Sequence, residues 1–154
     1  RTVWMDLPET SGAVDWLAGA SLLIREEVVR TVGTFDEAFF LYFEETDLCR
    51  RAREAGWETH YVRESRVEHI GSVSTGMKNW DRVPGYWFDS RWLYFRKVGG
   101  TRRAVGATLA YLAGASILWV RRVAQPKITA GRPHFLRDLT SHALRQLFGT
   151  KSAR

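Results

Sequence analysis

Cysteine is nearly missing from this chain of 154 residues, and the single Cys49 excludes both an internal disulfide framework and a zinc site built from cysteines. A lone thiol fits a reducing compartment. No secretory signal pattern precedes the first structured segment, and a chain that opens on Arg1 instead of Met reads as part of a longer protein. No uncharged stretch exceeds 17 residues, which sits at the lower limit for crossing a bilayer. No Asp-x-Asp pair occurs anywhere, so a metal site would have to draw carboxylates from elsewhere. Acidic residues are scarce in one half only. Residues 81–154 hold three Asp/Glu against 14 Lys/Arg, whereas residues 1–80 hold 14 against nine. The net charge of +6 therefore hides an acidic half suited to chemistry and a basic half suited to an anionic partner, a membrane surface or a nucleic acid.

What is present is a globular composition, 45% hydrophobic and 26% charged, with a length that allows one domain and a modest core. Seven Trp are many for this length. Indole suits places where one edge is apolar and the other wet, such as sugar sites and membrane interfaces, and it serves equally in cores.

Residues 1–12 read as a loop and residues 14–25, VDWLAGASLLIR, as a buried strand. Arg25 to Val32 reads as a short helix ended by Gly33. After the aromatic segment FFLYF (39–43), residues 44–55 read as a helix with acids in its first turn and arginines behind them, an order that suits the helix dipole. Asp47 and Arg51 are spaced to pair at i,i+4, and Gly56 suits the position just past the helix end. Short strands are expected near 57–62 and 66–70, then a flexible loop over 71–79. Residues 85–98 read as an aromatic, basic helix. The run 104–120 lies between Arg102-Arg103 and Arg121-Arg122, with Val105, Leu109, Leu112 and Trp119 on one face, which favours a helix lying on a membrane or packed on a domain. Residues 134–148 place Leu136, Leu139, Ala143 and Leu147 on one stripe.

Three groups of residues carry chemistry. Glu44-Glu45-Thr46-Asp47 is the densest: crowded carboxylates beside aromatics that exclude water reach the pKa range of a general base, although an acidic first turn on a solvated helix looks the same. His69, at the end of VEHI, is either structural or one ligand of a metal whose other ligands lie elsewhere. In Asp15-Trp16-Leu17-Ala18-Gly19-Ala20 the small residues either let a ligand approach the backbone beside an indole wall or merely allow tight packing.

The order DWLAGASLLIR, then VGTFDEAFFLYFEETDLCRRAREAGW, then VEHIGSVSTG resembles the C-terminal half of the catalytic domain of bacterial family 2 glycosyltransferases, above all the rhamnosyltransferase-like enzymes of cell-surface polysaccharide assembly. The likeness is dense over residues 14–76 and looser over RWLYFRK (91–97) and the basic tail. It implies an α/β fold of the GT-A type, with residues 1–80 supplying the C-terminal part of the catalytic domain. Residues 81–154 would form a basic helical tail that associates with membranes. It implies inverting transfer from a nucleotide-sugar donor to a hydroxyl of a saccharide or lipid-linked acceptor.

The family's Glu-Asp motif falls on Glu44 and Glu45, so the base maps to Glu45, one methylene longer than the commoner Asp, with Glu44 as the alternative. Asp47 would support the base or pair with Arg51. His69 maps to the metal-ligand histidine, for a divalent cation (Mg or Mn) whose Asp-x-Asp partners would precede Arg1. Ser72, Ser74 and Thr75 lie in a loop that would close over the diphosphate, and Asp15, Trp16 and Gly19 in the segment lining the sugar pocket. The expected location is the cytoplasmic face of the bacterial inner membrane, held peripherally by an anionic lipid surface. A non-catalytic basic module for membranes or nucleic acid is the competing reading. Arginines that border apolar helices instead of lining a polar groove argue against nucleic acid.

Overall fold

The computed structural model describes residues 8–68, 80–124 and 134–149. The chain forms two compact units, one over Val3–Lys78 and one over Asn79–Arg154.

In the first unit β1 (Gly12–Val14) pairs antiparallel with β2 (Thr59–Tyr61), in a register that sets Gly12 against Tyr61, Ala13 against His60 and Val14 against Thr59. The buried strand expected over 14–25 is therefore corrected: only its first residue is in a ladder, and residues 15–25 follow an irregular path. A strand persists only where its N–H and C=O groups find a ladder partner. Among the described residues β2 is the one neighbour, and residues 12–14 occupy it. Residues 66–68 likewise form no strand, and 69–70 lie outside the described residues.

Helix α1 (Glu26–Val32) opens on Glu26 and Glu27, which favour the positive end of the helix dipole, and closes on Gly33, whose N–H bonds the Val29 carbonyl at 2.9 Å. Helix α2 (Glu44–Glu54) buries Leu48, Cys49 and Ala52. It ends as the sequence implies, with Trp57 N–H returning to the Ala52 carbonyl at 3.0 Å beyond a left-handed Gly56.

The second unit is helical. Helix α3 (Gly85–Ala124) breaks at Gly99 and Gly100, so residues 85–98 and 101–124 are separate segments. Gly100 takes φ 69°, a conformation that side-chained residues resist, and this lets the chain reverse within two residues. The two segments run back along each other: the Arg91 guanidinium reaches the Ala107 carbonyl and the Thr108 hydroxyl, and Trp92 packs with Ala104. Helix α4 (Phe135–Phe148) closes the bundle. One cluster joins Val83, Phe88 and Leu139, flanked by Trp80, Trp87 and Phe135; the other joins Trp92, Ala104 and Ala143. The stripe expected on α4 is rotated. Leu139 and Ala143 are buried, Leu136 and Leu147 are exposed, and His142 is buried instead. Its imidazole pairs with Asp89 at 2.7 Å and lies against Phe88, which satisfies the polar edge while the ring fills apolar space.

Candidate active site

The start of α2 is built by backbone strain. Tyr42 and Phe43 both take φ 70°, a left-handed conformation that costs bulky residues about 1–3 kcal/mol each. Such strain persists only where surrounding structure enforces it. Its effect is a sharp turn that directs Glu44 and Glu45 from the first turn of the helix, where unsatisfied N–H groups favour negative charge.

Oε2 of Glu44 and Oε2 of Glu45 are both buried with no hydrogen-bond partner among the described residues. Buried carboxylate oxygens are normally satisfied, so this pair is an unfilled acceptor for a hydroxyl or a cation. Burial pushes the Glu44 carboxyl above its ordinary range, against the pull of its own backbone N–H, and the neighbouring Glu45 charge pushes it further. A raised folded-state pKa means that the folded chain holds this proton more tightly than the unfolded chain does. Stability from this group is therefore complete below pH 4.5 and is lost as pH rises through the folded value. Glu44→Gln is expected to raise the urea midpoint at neutral pH, with the gain vanishing in acid. Equal midpoints at neutral pH would show that Glu44 is not held in an ionisation-averse setting.

Asp47, two residues on, is set up differently. Its side chain is fully buried and both oxygens are taken: Oδ1 by Arg50 at 2.8 Å and Oδ2 by Arg51 Nε at 2.8 Å. The i,i+4 pair read from the sequence is therefore present. Arg51 extends past it, donating to the Val32 carbonyl and, at 2.7 Å, to the Thr34 carbonyl at the end of α1. Arg50 also pairs with Glu54 at 2.6 Å. Asp47 thus ties the first turn of α2 to the end of α1, and neither of its oxygens is left to accept a substrate proton.

The segment 15–20 divides. Gly19 lies against Glu45: a Cβ on Gly19 would sit 3.8 Å from that of Glu45 and 4.0 Å from its Cγ and Cδ. Asp15 is exposed and pairs with Arg53 at 2.8 Å, eight residues beyond Glu45 and so about 12 Å further along the helix. Trp16 is half exposed. Gly19 therefore comes to the acidic helix start, whereas the Asp15 carboxylate is engaged at the far end of α2. His69, Ser72, Ser74 and Thr75 lie outside the described residues. Among the described residues no group of three His, Cys, Asp or Glu could hold a metal ion.

Beside this region an open cavity of about 1140 Å³ is lined by Leu22, Ile24, Val28, Leu48, Tyr61 and Val62, among others. Leu23, which also lines it, is fully exposed. Sequence reasoning missed the strained turn at Tyr42-Phe43, because aromatics carry no signal for left-handed backbone. It also missed the Asp15–Arg53 pair, for which no local spacing exists.

The sequence profile of the family described as glycosyltransferase like family 2 matches residues 2–100. The chain is also similar to an N-acetylglucosaminyl-diphospho-decaprenol L-rhamnosyltransferase of Mycobacterium tuberculosis, 44% identical over 63 residues, which is 41% of this chain and 20% of that protein. It is similar as well to Rhamnosyltransferase WbbL of Escherichia coli, 45% identical over 49 residues, or 32% of this chain and 19% of the relative. The matched stretches span about a fifth of each relative's length. No solved structure matches. A profile match over residues 2–100 takes in well over half of the 154, and the chain belongs to glycosyltransferase-like family 2.

Proposed function

We propose that residues 1–80 are the C-terminal part of a GT-A catalytic domain, and that the whole protein is an inverting glycosyltransferase. It moves a sugar from a nucleotide-sugar donor to a hydroxyl of a saccharide or lipid-linked acceptor. The observation that carries this reading is the buried Oε2 of Glu45, without a hydrogen-bond partner among the described residues, on a side chain that lies against Gly19 at a strained helix start. An acceptor hydroxyl hydrogen-bonded there would donate to Oε2.

As its oxygen forms a bond to the anomeric carbon, Glu45 takes its proton, and the bond from that carbon to the diphosphate oxygen breaks on the opposite side. The products are an inverted glycoside, a nucleoside diphosphate and a protonated Glu45. General-base assistance of this kind contributes about 10²–10⁴-fold. Burial, and after it the Glu45 charge, raises the pKa of Glu44 beside the base. Asp47 acts through Arg51 on helix position and not on substrate. Gly19 and Trp16 border the sugar, and Ser72, Ser74 and Thr75 would cover the diphosphate. A divalent cation (Mg or Mn) would offset charge on the leaving group, with His69 as one ligand and the remaining ligands supplied from outside this chain.

The Mycobacterium tuberculosis relative is named for a decaprenyl-linked acceptor. By likeness, a lipid-linked acceptor at the cytoplasmic face of a bacterial inner membrane is the one proposed here, with residues 81–154 as the peripheral attachment. Because the proposed donor-binding half and most metal ligands are not in residues 1–154, the chain by itself is expected to show no turnover. The full-length enzyme should transfer labelled sugar from a nucleotide donor to a polyprenyl-diphosphate saccharide. Proton NMR of the product reads the anomeric configuration. Retention of the donor's configuration, or robust transfer by the chain alone, would overturn this reading.

A further inference from the structure

We infer that residues 101–124 of α3 form a docking surface for anionic phospholipid that lies in the plane of one leaflet and does not cross the bilayer. This specifies the surface behind the peripheral attachment proposed above and does not depend on sugar transfer.

One face of this segment is spent on the bundle. Ala104 is fully buried and Thr108 is 4% exposed, the former among Trp92 and Ala143, the latter against Arg91. At 100° per residue, Leu109, Ala113, Ile117 and Val120 fall within one sector of about 80°, directly opposite Ala104 and Thr108. Three of these four are large apolar side chains, and they are 60%, 61% and 60% exposed. Val123 lies about 40° from the edge of the sector and is 68% exposed. A helix with one face packed and an apolar opposite face is not finished by water; it requires a second apolar environment.

Charge identifies that environment. No charged residue occurs from 104 to 120, while Arg102-Arg103 and Arg121 frame the stretch, all three exposed. At 1.5 Å per residue, Arg103 and Arg121 stand about 27 Å apart along the axis. The unit carries 14 Lys/Arg against three Asp/Glu over residues 81–154. An apolar sector with a cationic residue at each end fits acyl chains beneath a plane of anionic headgroups. A second copy of this chain would bring the same positive charge to the contact.

The packed face decides orientation. The first half of the segment packs on Arg91, 6% exposed, whose guanidinium donates to the Ala107 carbonyl at 2.8 Å and to the Thr108 hydroxyl at 3.2 Å. His142 and Asp89 pair in the same bundle. Carrying the helix across the bilayer would draw these ionisable groups into hydrocarbon, which is costly. Tyr111 still packs on Phe135 of α4, so the uncharged stretch beyond it, 112–120, is nine residues or about 14 Å, short of the roughly 30 Å hydrocarbon core. Lying in plane, the helix keeps the bundle in water and sets both arginine ends at phosphate level.

The test is co-sedimentation of the chain with vesicles of phosphatidylglycerol and phosphatidylcholine, against phosphatidylcholine alone. Tighter binding to the anionic vesicles, released by an alkaline carbonate wash, is expected. Ile117→Glu with Val120→Glu should lower the partition coefficient at least tenfold with an unchanged circular dichroism spectrum, since both side chains are exposed. If that pair disturbs folding, Arg102→Ser with Arg103→Ser should remove the preference for anionic lipid. Binding that resists carbonate would mean a spanning helix and overturn the inference. So would equal binding of the folded variants, or a vesicle-free dimer that the Glu substitutions dissociate. None of these readouts uses a sugar donor, so an inactive enzyme leaves the result intact.

Discussion

Glu45→Gln in the full-length enzyme is expected to lower kcat for sugar transfer by roughly 10²–10⁴-fold, the range general-base removal gives, with KM for the donor nearly unchanged. The substitution keeps the shape of the side chain and removes the one property the mechanism requires, a carboxylate oxygen that accepts a proton. Glu45 Oε2 is buried and has no partner among the described residues, so the change breaks no hydrogen bond to them at that atom. The stability of the variant should therefore stay close to that of the parent, which separates a chemical loss from a structural one. Glu44→Gln is the matched control. Its carboxyl is held towards the protonated form by burial, so the amide replaces a group that is already reluctant to ionise, and the loss of rate should be much smaller. Glu45→Asp, the shorter acid of the resembling enzymes, should retain part of the activity at a lower rate. If Glu44→Gln abolishes transfer and Glu45→Gln preserves it within tenfold, the base is Glu44. If neither matters, the acidic helix start is only a helix start.

How far the sequence foretells this site depends on the range of each interaction. The helix over 44–55 is legible because its signals are local: acids first, arginines after, Gly56 beyond the end. The Asp47–Arg51 pair is legible for the same reason, since one helical turn fixes the distance. The continuation of Arg51 to the Val32 and Thr34 carbonyls is not legible, because it joins residues 17 to 19 positions apart through a turn whose path no spacing rule gives. The proximity of Gly19 to Glu45 comes from the same kind of tertiary return and enters the sequence only through resemblance. The strand expected over 14–25 fails in an instructive way. Its composition is that of a buried strand, but pairing is a property of neighbours, and β2 meets residues 12–14 instead. The helical bundle behaves similarly. Apolar periodicity finds each helix, while the burial of His142 depends on Phe88 and Asp89 from another segment.

Asp47→Ala is expected to destabilise the first unit by about 3–5 kcal/mol, the cost of removing one partner from a buried ion pair. For a domain of this size that shifts the thermal midpoint by well over 10 °C. The argument is an imbalance. Asp47 is fully buried and neutralises Arg50 and Arg51 together, whose side chains are only 13% and 19% exposed. Without it, two guanidinium groups remain partly desolvated, and Arg50 already has a buried Nε with no partner among the described residues. Arg50 retains Glu54, which is exposed and offsets little of the loss. Arg51 retains the Val32 and Thr34 carbonyls, which are acceptors but carry no full charge. Arg51→Met should cost less, because Asp47 keeps Arg50, yet it removes the hydrogen bonds from Arg51 to the Val32 and Thr34 carbonyls at the end of α1. The two substitutions share one interaction, so their combined effect should fall short of their sum by 0.5–3 kcal/mol, roughly the coupling found between contacting residues. Urea unfolding of the single and double variants gives that coupling directly. Strict additivity would mean that Asp47 and Arg51 act independently, and an unchanged midpoint for Asp47→Ala would mean that the clamp does not hold α2. With the clamp real, Arg51→Met should slow transfer even in the folded protein, because the first turn of α2 carries Glu45, and the distance between Glu45 and Gly19 is set by how that turn is anchored.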